Sequence, residues 1–132
     1  MANILTSQIL EDGPRNALVN VVAVLDTGNL TASDIVDPAN FNPVPAQFRI
    51  DCIYYSIADQ LEAQILWDAT VDVIAQALAG RGKVGAWRGG GLQNNAGAGK
   101  TGKIQLTTTG WASGVQNLSL LLYLVKQGGA AG

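Results

Sequence analysis

Four stretches of the chain alternate apolar and polar positions with period two. Arg15 to Leu25 places Ala17, Val19, Val21, Ala23 and Leu25 on one side and Leu18, Asn20, Val22 and Val24 on the other. Both sides are largely apolar, which predicts a central strand. Gln47 to Ile57 predicts a second strand, with Phe48, Ile50, Cys52 and Tyr54 on one face and Arg49, Asp51, Ile53 and Tyr55 on the other. Leu61 to Trp67 predicts a third, with Leu61, Ala63, Ile65 and Trp67 inward; Asp59-Gln60 between them reads as a hairpin turn. Val115 to Val125 is the last, lined by Leu118, Leu120, Leu122 and Leu124, with Leu121, Tyr123 and Val125 opposite. Two apolar faces there imply a strand between core layers or under an interface.

Weaker patterns fill the gaps. Lys103 to Thr109 is β-branched and alternating, Lys83 to Trp87 is a short strand, and Val71 to Ala79 is read as a strand despite some helical spacing. Thr31 to Asp37 is expected to make one helical turn capped by Thr31 or Ser33. Residues 1–14 form an arm ending at Gly13-Pro14, able to fold back or reach a neighbour through Ile4, Leu5, Ile9 and Leu10; residues 128–132 form a flexible tail. Fourteen of the 16 glycines fall in residues 80–132, too many for helices. The expected fold is all-β: one antiparallel β-sandwich domain over 15–127, jelly-roll-like, with an extended N-terminal arm.

Charge is unevenly spread. Residues 1–72 hold two basic and ten acidic residues, a balance of −8; residues 73–132 hold six basic and no acidic ones, +6. Either the two halves make a bipolar molecule or their strands interleave and the charges cancel. The net −2 gives no reason to expect nucleic acid, and the longest apolar run, Leu120 to Val125, cannot span a bilayer. No signal peptide is expected from residues 1–14, which lack a basic residue and a long apolar stretch.

The absence of histidine removes the commonest general base and metal ligand. The single cysteine, Cys52, forms no internal disulfide and reads as a small buried hydrophobe. Gly97-Ala98-Gly99-Lys100-Thr101 imitates the end of a P-loop, but Asn94 stands where the first glycine is needed and a strand, not a helix, follows. Asp59, Glu62, Asp68 and Asp72 could pair as glycosidase carboxylates or hold calcium, although Glu62 and Asp68 fall on an ordinary solvent face. No catalytic, cofactor or metal residue is assigned.

Three tryptophans raise a carbohydrate-binding or adhesion alternative. Trp67 reads as core, whereas Trp87 and Trp111 flank the glycine- and asparagine-rich loop at Gly89–Gly102. The candidate interface therefore comprises Ile4, Leu5, Ile9 and Leu10 of the arm with Arg81, Trp87, Arg88, Leu92, Asn94, Asn95, Lys100 and Trp111.

Stretches 13–19 (GPRNALV), 50–55 (IDCIYY), 66–70 (LWDAT), 80–82 (GRG), 91–99 (GLQNNAGAG) and 124–127 (LVKQ) together resemble a family of small virion structural proteins of tailed phages. Within that group the size and β pattern are similar to head decoration, or cement, proteins. The resemblance implies a non-enzymatic protein, made in the bacterial cytoplasm, that coats the capsid exterior. Its implied partners are the major capsid protein and itself, as a dimer or trimer, or else it is another head, neck or tail component. No cofactor is implied.

Overall fold

A computed structural model of the chain describes residues 3–41, 44–85, 92, 94 and 96–127. Nine strands make two antiparallel sheets: β1 (Ile4–Asp12), β2 (Asn16–Leu25), β3 (Ser33–Val36), β4 (Gln47–Ile57), β5 (Glu62–Trp67), β6 (Val73–Ala79), β7 (Arg81–Gly85), β8 (Ile104–Thr109) and β9 (Gln116–Gln127). The orders are β1-β2-β9-β4-β7 and β3-β8-β5-β6. From β2 onward the eight strands pair first with last, second with seventh, third with sixth and fourth with fifth. That nested hairpin, rolled so that β9 also meets β4 and β8 meets β5, is a jelly roll.

The period-two pattern explains the core. Val19, Val21 and Ala23 of β2 stand opposite Leu122, Leu120 and Leu118 of β9, all buried. The other sheet faces them with Ala63, Ile65 and Trp67 of β5 and Ile104 and Leu106 of β8. Burying each large side chain in this set contributes roughly 1.5–3 kcal/mol. Phe41 and Phe48 close one side edge to face, with ring centroids 4.9 Å apart.

Of the two courses open to the N-terminal segment it takes the first and folds back: from Ile4 to Asp12 it is an edge strand paired with β2, turned by Gly13-Pro14 through the Gly13 N–H bond to Asn16 O at 2.8 Å. Other expectations are corrected. Residues 33–36 are strand, not helix, because buried Ile35 and Val36 serve the core; a short 3-10 turn (Pro38–Asn40) follows, capped by Asp37. β4 and β5 do not form a hairpin. Both edges of β4 are taken by β9 and β7, and both edges of β5 by β6 and β8. The turn held by Leu61 N–H on Ala58 O carries the chain from one sheet to the other. Gly80, at φ +72°, makes the equally sharp crossing from β6 to β7.

The faces of β4 also differ from simple alternation. Ile50 pairs with Leu124 and Cys52 with Tyr123, leaving Asp51 as an extra residue. The bulge keeps Phe48 and Ile50 inward before it and Ile53 and Ile57 inward after it. Cys52 and Tyr54 therefore leave the core for the outer face, and Cys52 is half-buried there.

Interleaving of the two halves disperses the charge asymmetry. β9 lies between β2 and β4, and β8 between β3 and β5. Lys126 meets Asp12, and Lys103 lies 3.5 Å from Asp34.

Candidate adhesive surfaces

The candidate interface residues separate into different regions of the fold. Ile4, Ile9 and Leu10 are exposed on β1, and Leu5 packs partly against the core. A shift in the β1–β2 register between Ile9 and Glu11 makes Leu10 an extra residue and turns it outward. Among the described residues β1 has a neighbouring strand on one side only. Its nine residues thus present an open edge with apolar side chains, a template for pairing or docking.

The described residues of the glycine loop are held more tightly than its composition suggests. Leu92 exchanges two backbone hydrogen bonds with Ile50, at 2.8 and 3.0 Å, and packs against the core. Asn94 is buried, and its Oδ1 accepts the Ala96 N–H. Thr70 N–H donates to Ala98 O, and Thr101 gives its N–H to Asp68 O and its hydroxyl to Asp68 Oδ2 at 2.6 Å. The Lys100 and Thr101 N–H groups, which a P-loop would aim at phosphate, are thereby used inside the protein, and β8 follows. Lys100 itself is exposed, as is Arg81 on β7. Trp87, Arg88 and Asn95 lie outside the described residues.

Trp111 does not join this loop. It follows β8, whereas the loop precedes β8, so the six-residue strand sets them about 20 Å apart. Its half-buried ring is fixed locally: Nε1–H donates to Gly114 O at 3.0 Å, and its backbone N–H donates to Asn29 Oδ1. Trp67 is buried in the core, as expected. The acidic residues separate in the same way. Glu62 begins β5 and Asp68 follows its end, so these two do not converge as a carboxylate pair. Among the described residues no group of three metal-ligating side chains comes together.

A further apolar surface lies outside the candidate list. On the outer face of the five-stranded sheet, Leu18 pairs with Tyr123 and Tyr123 with Cys52; one row along, Asn20 pairs with Leu121 and Leu121 with Tyr54. Val22 and Val24 extend the apolar face across β2. Tyr54 and Tyr123 are 42% and 40% exposed, which is high for aromatic rings on a central part of a sheet. Their ring centroids lie 5.6 Å apart, and the Lys83 ammonium stands 5.4 Å above Tyr54. Two hollows of about 300 and 270 Å³ indent the face, one beside Cys52 and Tyr123, the other beside Tyr54 and Leu121. Nearby, Arg49 and Asp51 neutralise each other at 2.7 Å, and the hydrogen bond that Arg49 donates to the Asp51 carboxylate raises the guanidinium pKa. The two-faced apolar pattern of β2 and β9 was the sequence signal for this surface. A comparison with protein-family models finds no match, and none appears among curated proteins.

Proposed function

We propose that the chain is a non-enzymatic virion structural protein, a capsid decoration protein that binds the major capsid protein lattice from outside and stabilises the head. The observation that carries this reading is β1, a nine-residue open edge with exposed Ile4, Ile9 and Leu10. Such an edge docks on a partner by backbone pairing and by apolar side chains set on alternate faces. Each copy needs only modest affinity, because a closed lattice repeats the contact many times. Jelly rolls serve in shells and in lectins, so the fold is compatible with this role without selecting it. The carbohydrate-binding alternative loses support from Trp67, which is buried, and from Trp111, whose indole N–H is committed within its own turn.

Cryo-electron microscopy of the parent particle tests the proposal. Density for this chain repeated over the capsid exterior, with β1 at the contact, is the expected result. A few copies at the portal or tail, or absence from the particle, would overturn it. An Ile9→Asp, Leu10→Asp double variant should remain folded, since both side chains are exposed, and should fail to bind stripped capsids.

A further inference from the structure

We infer that the outer face of the five-stranded sheet is the interface with a second copy of this chain, packed face to face about a two-fold axis parallel to β9. This surface includes the outward side chains of β1 but not its open backbone edge, and it requires no capsid.

Area is the first argument. Five strands about 4.8 Å apart, four of them nine to twelve residues long and β7 of five, cover roughly 740 Å² at about 3.3 Å per residue. That is close to the area of about 800 Å² that each partner contributes to a standard stable interface. The face carries Leu18, Val22, Leu121, Tyr54 and Tyr123 in adjacent rows, an apolar patch of the kind that marks an interaction site.

Charge selects the occupant and the axis. Row by row, the outer face runs from Glu11 on β1 through Leu18, Tyr123 and Cys52, and from Gln8 through Asn20, Leu121 and Tyr54 to Lys83 on β7. Arg81 follows Lys83 on the same side of β7. One margin thus carries a single acid, Glu11, and the other two bases, Lys83 and Arg81. Of the in-plane two-fold axes that relate two face-to-face copies, the limiting ones run across and along the strands. An axis across the strands sets β7 over β7, so that Lys83 and Arg81 face their own kind. An axis along β9, the middle strand of five, sets β1 over the partner's β7 and brings Glu11 within one row of the opposite Lys83.

The same axis matches shape. It sets β2 over the partner copy's β4, so Leu18 meets Cys52, Asn20 meets Tyr54 and Val22 meets Ser56, a larger group facing a smaller one in each row. Leu121 and Tyr123 lie on the axis and meet their own symmetry mates. An isologous contact of this kind closes at two copies.

Sedimentation equilibrium of the purified full chain tests the inference, with a mass of twice 13.7 kDa expected. Leu121→Arg puts two cations against each other on the axis and should give a monomer with an unchanged circular dichroism spectrum. Glu11→Lys and Lys83→Glu should each weaken the dimer by about tenfold or more, and the double reversal should restore it. Cys52, on this face, should react faster with a thiol reagent in Leu121→Arg than in the wild type. A monomer at every concentration, a trimer, or a dimer insensitive to Leu121→Arg would overturn the inference. So would a dimer broken by the Ile9→Asp, Leu10→Asp variant, which would place the contact at the β1 edge.

Discussion

Lys126, near the end of the last strand, sets its Nζ 2.5 Å from Asp12 Oδ1, at the end of the first. The two strands are not neighbours; β2 runs between them. The lysine side chain is only 4% exposed and also stands over the Phe41 ring. A charge-assisted bond in such a setting is worth more than one at an open surface. Asp12→Ala should therefore cost about 2 kcal/mol in urea denaturation. Amide exchange should quicken first along residues 4–12, because the pair fastens the otherwise lightly packed β1. Equal acceleration across all strands would show that the contact does not act locally.

The bulge at Asp51 gives a sharper test, because a one-residue slip turns a strand inside out. Deleting Asp51 forces a choice: Phe48 and Ile50 stay inward, or Ile53 and Ile57 do, but not both sets. The deletion should abolish cooperative unfolding. Asp51→Ala keeps the residue count and loses only a partly exposed ion pair with Arg49, so it should cost no more than about 1 kcal/mol. Similar thermal midpoints for the two variants would refute the assignment of the bulge.

Gly80 and Gly102 have similar left-handed backbones, φ +72° and +84°, but different surroundings. A Cβ on Gly80 enters open space, whereas one on Gly102 strikes the Ala46 carbonyl oxygen. Gly80→Ala should cost only the conformational penalty of about 1–2 kcal/mol. Gly102→Ala should cost distinctly more, since a backbone carbonyl between β3 and β4 must move. Chemical denaturation of the pair checks this, and equal losses would mean that the contact at Ala46 relaxes freely.

The strands and their inner faces were legible in the sequence because period-two burial is a local signal. Val19, Val21 and Ala23 or Leu118, Leu120 and Leu122 need no knowledge of their partners to be recognised. Sheet membership was not legible. The Asp59-Gln60 turn looks the same whether it returns a strand to its neighbour or sends it to another layer, and the pairing of β4 with β9 and β7 is decided by residues more than 20 positions away. Bulges are equally silent, since the extra Asp51 differs in no way from a regular strand residue until the ladder is drawn. The adhesive surfaces suffered for the same reason. Lys100 and Trp111 stand eleven positions apart, yet they lie beyond opposite ends of β8. The apolar second faces of β2 and β9 were visible, but whether a third layer covered them depended on the topology.

Thr108 connects the end of β8 to the turn after β2, and its hydroxyl works as both acceptor and donor. It is 2% exposed; Oγ1 accepts the Leu30 N–H at 2.8 Å and donates to Asn29 Oδ1 at 3.3 Å. Valine has the same shape without the hydroxyl, so Thr108→Val leaves the packing intact and deprives Leu30 N–H of its acceptor. An orphaned buried donor costs about 1–3 kcal/mol. The same loss should free the Asn29 side chain and weaken its grip on the Trp111 backbone N–H. The variant should therefore lower the midpoint of unfolding and shift tryptophan fluorescence toward that of a more solvated Trp111. A neutral effect on stability would mean that water reaches Leu30 N–H in place of the hydroxyl, and that the turn is less closed than its hydrogen bonds indicate.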